Sequence, residues 1–328
     1  MEAITFLSWL RSFRTSRTAD LVSHGLEAAY LAGSVEGVRG DHRMEVTINR
    51  GFRRALMDGN PVRSARECLN EFTVAFLSPD DPAILEGGPS GRRTLVDRFV
   101  VLLDPGRLPL FQTYSRLVRQ RNEILKAPGT GWDGAVLDAC EEALADAGGK
   151  VVAARKDALA RLLEHLPNLL TQLAGPDLKA RVSYTSRWLT DECAQGGEGA
   201  LLSRRLASRR QADAAQGRTT VGPHTDDLTV EIQGHAARGH ASRGQRKALM
   251  LAWKAAEVRV FSAQGGGVPV LVLDDALADL DDERQGMVLD YLATYPGQSF
   301  LTGTAVPGRL ADDCTVFRAQ AGAFHSGA

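Results

Sequence analysis

The stretch Val268-Pro269-Val270-Leu271-Val272-Leu273-Asp274-Asp275 decides the fold class of this 328-residue chain. Its uninterrupted apolar run is typical of a strand buried on both faces of a parallel sheet. Two carboxylates follow at the end of the strand, where open α/β sheets bind their ligands. This arrangement predicts a Walker B strand, in which Asp274 holds Mg²⁺ and Asp275 orients or deprotonates the attacking water. It is also compatible with a strand that merely caps the next helix.

Two further motifs flank this strand. Downstream, Ala278-Asp279-Leu280-Asp281 has the form of an ABC-type D-loop, whose last aspartate, Asp281, lies at a dimer interface. Upstream, Ser242-Arg243-Gly244-Gln245 opens a helix that is predicted to extend from about Gly244 to Phe261. A serine and a glycine at a helix N-terminus present backbone donors and the positive dipole end to a phosphate. Ser242 is equally compatible with a plain N-cap, so the linked order of the motifs carries the functional interpretation.

Hydrophobic patterns divide the rest of the chain into strand-like and helical regions. Alternating apolar and polar residues predict a half-buried strand at Met44–Asn49. Strand-like patterns also predict strands at Phe72–Leu77, Leu228–Ile232 and Ser299–Leu301. Helical spacing predicts helices within residues 95–125, 136–144 and 159–173, with joints at Pro128-Gly129, Gly148-Gly149 and Gly175-Pro176. We therefore expect an α/β unit (residues 1–78 and 219–328) that is interrupted by an all-helical lobe (residues 79–218).

The formal net charge of −1 gives no overall attraction for nucleic acid, so DNA contacts have to come from local patches. Arginines with the reach to contact phosphates are also typical of solvated surfaces. The candidate DNA contacts are Arg92, Arg93, Arg119, Arg121, Arg204 and Arg205.

The cysteines and the apolar segments indicate where the protein acts. Cys68, Cys140, Cys193 and Cys314 form no C-x-x-C pair and have no histidine at metal-ligand spacing. Reduced cysteines of this kind are typical of the cytoplasm. No stretch approaches the roughly 18 apolar residues that are needed to span a bilayer. We therefore expect a cytoplasmic protein without a membrane partner.

Several segments make the sequence resemble the RecF family of the ABC/SMC ATPase superfamily. Residues 222–228 (GPHTDDL) resemble the family's G-P-H-x-D-D-L, and residues 242–245 (SRGQ) resemble its version of the ABC signature. Residues 78–81, residues 87–89, Arg92-Arg93 and Asp97 resemble the family's stretch just after the Q-loop. Residues 119–122 resemble its helical-lobe motif. Residues 2–4 and 12–15 are similar to the helix that follows the family's phosphate loop. The likeness runs in order over nearly the whole chain; within it, His224 is compatible with a structural or a functional role.

The resemblance implies an ABC/SMC-type ATPase head that binds ATP and Mg²⁺ and forms an ATP-dependent homodimer. In such a dimer Ser242, Gly244 and Gln245 of one subunit meet the nucleotide held on the other. Thr302 and Thr304 match the switch region, where other ABC ATPases often keep a histidine. The family further implies binding to double-stranded DNA at junctions with single strands, recombinational gap repair, the SOS response, and RecO-like and RecR mediators that load recombinase.

One family element is missing from the printed sequence, because no G-x-x-x-x-G-K-S/T motif occurs anywhere in it. We expect the first strand and the phosphate loop to be encoded upstream of Met1, and a degenerate paralogue is the alternative. Without these parts we expect the chain to be inactive alone as an ATPase and Phe6, Trp9 and Leu10 to be uncovered. A non-catalytic scaffold that binds DNA or a protein is therefore the second functional hypothesis.

Overall fold

The computed structural model describes residues 1–15, 17–37, 40–49, 51–126, 134–190, 197–308, 314–320 and 322–326. Cys193 and the predicted joint at Pro128-Gly129 lie outside the described residues. The helices are α1 (Glu2–Trp9), α2 (Ala65–Glu71), α3 (Pro89–Leu103), α4 (Leu108–Lys126), α5 (Gly134–Ala174), α6 (Gly197–Gln216), α7 (Ala237–His240), α8 (Arg243–Ala263) and α9 (Asp282–Ala293). The strands are β1 (Ala28–Gly37), β2 (Gly40–Asn49), β3 (Arg53–Met57), β4 (Asn60–Pro61), β5 (Val74–Leu77), β6 (Ala180–Thr185), β7 (Asp227–Ile232), β8 (His235–Ala236), β9 (Val270–Leu273), β10 (Ser299–Leu301), β11 (Phe317–Gln320) and β12 (Ala323–Ser326).

The chain divides into two compact units. The first comprises Met1–Pro82, His165–Lys179 and Ala241–Ala328, and the second comprises Ala83–Glu164 and Ala180–His240. Compared with the predicted spans, residues 79–82 and 165–179 join the first unit and residues 219–240 join the second. The second change has a simple cause, because β7 forms its hydrogen bonds with β6 and β8 inside the second unit.

The first unit contains a parallel sheet with the order β10-β9-β5. Its central strand, β9, is bonded in parallel to β10 and to β5, and the residues from Leu271 to Leu273 are buried. This confirms the buried parallel strand that the apolar run predicts. An antiparallel sheet with the order β1-β2-β3-β4 adds to the unit, and in β2 the buried Met44, Val46 and Ile48 alternate with less buried residues. Strands β11 and β12 form an antiparallel hairpin with exposed side chains.

Phe6 and Trp9 of α1 and Leu10, which follows it, are buried, which corrects the expectation that they would be uncovered. Phe6 is 2% exposed, and Trp9 and Leu10 are 9% and 3% exposed. Helix α1 packs beside β5, and the Trp9 indole Nε1 donates a hydrogen bond to the carbonyl of Val74 at 2.9 Å. The Ser8 hydroxyl donates to the carbonyl just before that strand, at Phe72, at 2.6 Å. The edge of the sheet thereby covers the surface that the pattern left without a partner.

The second unit combines helices with a short sheet, so the expectation of an all-helical lobe is wrong in this respect. Strands β6, β7 and β8 form an antiparallel sheet in that order, with Val182 opposite Val230. A hydrophobic core joins α4, α5 and α6 through buried residues such as Leu117, Val151 and Leu202. The β6 sequence lies between two long helical patterns, and its pairing with β7 is a contact between distant parts of the chain.

Helix α5 runs without a break through Gly148-Gly149, where the sequence predicts a joint. These glycines serve close packing. A Cβ atom at Gly149 would lie 2.7 Å from the backbone nitrogen of Gly199, and one at Gly148 would lie 2.4 Å from a methyl group of Leu202. The joint at Gly175 is confirmed, because Gly175 has a positive φ of 85° immediately after the end of α5.

In the part of the chain that the structure describes, no helix combines the length and the apolar character that crossing a membrane requires.

Candidate functional site

Strand β9 delivers two carboxylates at the C-terminal end of the parallel sheet. Its last residue, Leu273, lies opposite Leu77 of β5 and Leu301 of β10. The backbone N–H of Asp274 extends the ladder by donating to the carbonyl of Leu77 at 3.0 Å. Asp275 then adopts a left-handed conformation with φ 53°, which ends the strand. The fold therefore places both predicted carboxylates at the sheet edge where α/β proteins bind ligands.

Thr302, which follows β10, connects the two carboxylate-bearing residues. The Thr302 hydroxyl donates a hydrogen bond to Oδ1 of Asp274 at 2.7 Å. The Thr302 hydroxyl oxygen also accepts a hydrogen bond from the backbone N–H of Asp275 at 2.9 Å. Nη2 of Arg14 approaches the other carboxylate oxygen of Asp274, Oδ2, at 3.3 Å. Thr304, two residues after Thr302, is exposed. The Asp274 carboxylate is thus oriented at both oxygens by the residues around it.

Sequence reasoning missed Arg14, although it lies in one of the segments that carry the family resemblance. The turn that presents Arg14 is organised by Ser12, whose Oγ accepts the backbone N–H groups of Arg14 and Thr15 at 2.9 and 3.0 Å. Phe13 stacks on Phe76 of β5 with the ring centroids 5.4 Å apart. Because Phe13 anchors this turn on the sheet, the next side chain reaches the end of β9.

Helix α8 begins with a complete capping box. The Ser242 hydroxyl accepts the backbone N–H of Gln245 at 3.1 Å, and Oε1 of Gln245 accepts the backbone N–H of Ser242 at 2.9 Å. The plain capping role that the sequence allows for Ser242 is therefore present. Ser242 is also exposed, and binding of a nucleotide by Ser242, Gly244 and Gln245 remains a prediction.

Gly244 is the point at which the predicted signature segment, residues 242–245, contacts the predicted D-loop, residues 278–281. A Cβ atom at Gly244 would lie 2.8 Å from the carbonyl oxygen of Asp279, closer than real Cβ contacts. Only glycine therefore lets the D-loop backbone approach the first turn of α8 so closely. Asp281 caps α9, because its carboxylate accepts the backbone N–H of Arg284 at 2.9 Å and pairs with the Arg284 guanidinium at 2.8 Å. The Asp281 side chain remains 54% exposed.

Lys247, one turn into α8, is a second residue that sequence reasoning missed. It is 5% exposed, and its Nζ donates to the carbonyls of Asp275 and Ala278 at 2.7 Å each. Burial lowers the pKa of Lys247, while the carboxylates of Asp275 and Asp279 raise it. No motif identified this role, because the partners are backbone atoms whose position depends on the fold.

The G-P-H-x-D-D-L segment organises the interior of the second unit. The carbonyl of Pro223 accepts from Nη1 of Arg155 at 2.7 Å. Asp226 accepts from the Tyr184 hydroxyl at 2.6 Å and from the Trp188 indole at 2.8 Å. Asp227 begins β7 and forms a bidentate ion pair with Arg92. Most polar groups of the motif thus hold neighbouring elements in place.

His224 of this motif is a satisfied interior histidine. Its Nδ1 lies 2.6 Å from the Tyr114 hydroxyl, and its Nε2 lies 3.0 Å from the carbonyl oxygen of Thr219. Since a carbonyl only accepts, Nε2 carries the proton and Nδ1 accepts from the tyrosine. Burial lowers the pKa of His224, which favours this neutral form. The sequence leaves a structural and a functional role open for His224, and these hydrogen bonds support the structural one.

Acidification below about pH 6.5 is expected to destabilise the second unit through His224. The folded pKa of His224 is lowered, so the unfolded chain takes up a proton first as the pH falls. The free energy of unfolding therefore falls as the pH drops from the ordinary pKa of histidine to the lowered pKa of His224. His224→Gln should remove this part of the pH dependence, because glutamine does not titrate. Urea midpoints at about pH 7.5 and about pH 5.5 test this; an equal fall in both proteins contradicts it.

Two of the predicted DNA contacts are corrected by the structure. Arg92 is 6% exposed and pairs bidentately with Asp227 at 2.7 and 2.8 Å. Arg121 is 0% exposed and donates to Glu141 at 2.9 Å and Asp213 at 2.7 Å. Both side chains are buried and held by carboxylates, so neither guanidinium is available to a DNA phosphate. Their charges compensate carboxylates of the second unit, of which Glu141 and Asp213 are buried.

The other four arginines of the predicted DNA set differ in exposure. Arg93 is half-buried and donates to the carbonyl of Asp226 at 2.7 Å, and burial lowers its pKa. Arg205 is half-buried on α6. Arg119 on α4 and Arg204 on α6 are exposed. Of the original six, Arg119 and Arg204 therefore remain the candidates whose side chains face solvent.

Known proteins resemble this chain over most of their length. No protein-family model matches the chain. The DNA replication and repair protein RecF of Anaeromyxobacter sp. (strain Fw109-5) is 36% identical over 308 residues, which cover 93% of this chain and 82% of that protein. RecF of Myxococcus xanthus (strain DK1622) is 34% identical over 319 residues, with 95% and 84% covered.

Solved structures also resemble this chain over nearly its whole length. The recombination mediator protein RecF with ATP, described in the RecFOR pathway, superposes with a TM-score of 0.86 at 28% identity, covering 100% of this chain and 87% of that one. An Smc head bound to the C-winged helix domain of ScpA has a TM-score of 0.53 at 13% identity, covering 99% of this chain and 84% of that one, a likeness of fold alone. The fold is that of an ABC/SMC-type ATPase head, and the chain belongs to the RecF family of DNA replication and repair proteins.

Proposed function

We propose that this chain is a DNA-binding, ATP-dependent protein of recombinational gap repair and the SOS response, acting near single-strand gaps and aiding recombinase loading. The observation that carries the proposal is the joined arrangement at the end of β9. Thr302 orients Asp274 and the backbone of Asp275, and Gly244 of the signature segment contacts the D-loop. Membership of the RecF family of DNA replication and repair proteins supports the proposal.

The proposed chemistry divides between two subunits. Asp275 orients or deprotonates the attacking water, and Ser242, Gly244 and Gln245 contact the γ-phosphate of a nucleotide held on a second subunit. Asp281 in the D-loop lies at the same interface, and Thr302 and Thr304 sense the state of the nucleotide. Because the nucleotide connects the two subunits, ATP binding and dimerisation are coupled.

The donor set at the end of β9 fits Mg²⁺. This ion is usually held by one or two carboxylates, with waters and substrate phosphates completing its coordination. Asp274 offers one carboxylate at the sheet edge, oriented by Thr302, and is the residue we propose to hold the ion. Bound there, Mg²⁺ would neutralise charge on the phosphates. Among the described residues no group of three or more His, Cys, Asp or Glu side chains could hold a metal ion by itself.

The test is ATP binding and DNA-stimulated hydrolysis by this chain beside a version extended through the in-frame codons upstream of Met1. The printed sequence contains no phosphate-loop motif, so we expect only the extended version to bind ATP with high affinity. Binding and hydrolysis by that version support the RecF-like ATPase. If neither version binds ATP while DNA or a partner protein is still bound, the non-catalytic scaffold is the better function.

We propose that DNA contacts come from exposed arginines of the second unit. Replacing Arg119 and Arg204 together by alanine is expected to reduce the slope of log affinity against log salt by about 1 per lost phosphate contact. Arg107→Ala is the matched control, because Arg107 is exposed but pairs with Asp104 at 3.2 Å. Fluorescence anisotropy on a gapped duplex measures the slopes. An unchanged slope in the double variant removes Arg119 and Arg204 from the DNA surface.

We also propose RecR and a RecO-like mediator as partners, because solved relatives are described in the RecFOR pathway. The homodimer and the mediators are expected to bind in the ATP-bound state. Analytical ultracentrifugation of the extended version with purified RecR, with and without ATP, tests this. Co-sedimentation that ignores ATP would contradict the proposed coupling.

A further inference from the structure

The turn that joins β9 to α9, residues 274–281, contains two left-handed residues that are not glycine. Asp275 has φ 53° and Asp279 has φ 62°. L-residues adopt this conformation rarely, because Cβ comes close to the carbonyl oxygen. Such a backbone persists only where the surrounding structure holds it. The residues that hold the turn are therefore of interest, since the turn carries both Asp275 and the D-loop.

Side chains from the two flanking helices supply that support. From α8, the Lys247 ammonium donates to the carbonyls of Asp275 and Ala278 at 2.7 Å each. From α9, Nε2 of Gln285 donates to the carbonyls of Leu277 and Leu280 at 3.3 and 3.0 Å. Carbonyl groups along the whole turn thus accept from side chains, which fixes the path of its backbone.

Lys247 differs from an ordinary buried ion-pair lysine. Its nearest carboxylate oxygen, Oδ2 of Asp279, lies 3.9 Å from Nζ, whereas the two carbonyls are at full hydrogen-bonding distance. An ammonium bonded mainly to backbone holds the course of the chain, because three donors radiate from one atom. Helix α8 also begins only five residues earlier with the Ser242 cap, so the same rigid helix carries the signature segment and this ammonium.

We propose that Lys247 is a positioning residue that joins the signature helix to the turn bearing Asp275 and the D-loop, so that these parts move as one body. This inference rests on the proposed ATP-dependent function, because Asp275 acts there on the attacking water. A nucleotide that displaces the first turn of α8 would then displace Asp275 as well. Lys247 would therefore connect two events. One is the contact of the signature segment with a nucleotide, and the other is the alignment of the Asp275 carboxylate.

The decisive measurement is hydrogen–deuterium exchange of peptides covering residues 274–281 in the chain as it exists, without nucleotide. Lys247→Met keeps an unbranched side chain of similar bulk and removes its donors. We expect exchange of these peptides to rise about tenfold or more. Lys247→Gln retains one amide donor, so a smaller rise is expected; it also provides the comparison if the methionine variant does not fold.

The matched control is Lys254→Met. Lys254 is a buried lysine two turns further along α8, and its Nζ pairs with Glu257 at 2.8 Å. This variant leaves the buried Glu257 carboxylate without its ammonium partner, so any rise in exchange should be spread over the unit and not concentrated at residues 274–281. If both variants raise exchange equally at the turn, or if Lys247→Met raises it uniformly along the chain, Lys247 has only a general stabilising role and the proposal is overturned.

A second readout separates this proposal from the proposed function. In the extended version, Lys247→Met should lower kcat for ATP hydrolysis about tenfold or more and leave KM nearly unchanged, because alignment is lost and binding is retained. An equal loss in the Lys254→Met variant would overturn the positioning role. If the extended version hydrolyses no ATP, the proposed function fails, while the exchange experiment still tests whether Lys247 holds the turn.

Discussion

Replacing Arg121 by methionine is expected to lower the free energy of unfolding by about 3–5 kcal/mol. The Arg121 side chain is fully buried in the second unit and donates to Glu141 at 2.9 Å, to Asp213 at 2.7 Å and to the hydroxyl of Thr219 at 3.0 Å. Methionine fills similar space but leaves the carboxylate of Asp213 buried without this counter-charge. Urea unfolding followed by circular dichroism measures the loss.

The matched control is Arg119→Met, two residues earlier on α4. Arg119 is exposed, so its replacement should change the free energy of unfolding by no more than about 0.5 kcal/mol. The opposite pattern, in which Arg121→Met leaves stability intact but weakens DNA binding, would restore Arg121 to the set of DNA contacts. The comparison therefore separates a structural arginine from a surface arginine on one helix.

Asp275→Asn in the extended version is expected to lower ATP turnover by about 10²–10⁴-fold. Asparagine has the same size and tolerates the left-handed backbone at this position, where φ is 53°. The backbone N–H of residue 275 still donates to Thr302, so the local geometry is retained. What is lost is the carboxylate that we propose to orient or deprotonate the water. Steady-state hydrolysis with gapped DNA measures the effect, and ATP-dependent dimerisation should persist.

Asp282→Asn provides the control for this experiment. Asp282 is an exposed acidic residue in the first turn of α9, and it has no proposed part in the reaction. Turnover by this variant should stay close to that of the unchanged protein. Unchanged turnover in the Asp275→Asn variant would remove the proposed water-activating role from Asp275.

The strength of a local pattern decided how well each element was predicted. The buried run of β9, the long helix α8 and the short strand β10 were confirmed, because each has its period or apolar run within a few residues. The pair Gly148-Gly149 predicts a joint between two helices, because glycine disfavours helix interiors. In the structure Gly199 and Leu202 pack closely there, and the small side chains allow one helix to continue. A glycine alone does not show whether it ends a helix or admits a neighbour.

The sequence by itself determined the family, the buried β9 strand and the placement of Asp274 and Asp275 at its end, because these depend on short, contiguous patterns. Only the tertiary structure decided that Arg121 is buried, that Arg14 reaches Asp274 and that Lys247 donates to the backbone carbonyls after β9. The physical reason is that burial and hydrogen-bond partners depend on which distant segments pack together. Arg14 and Asp274 are 260 residues apart in the chain, and no local pattern encodes their contact.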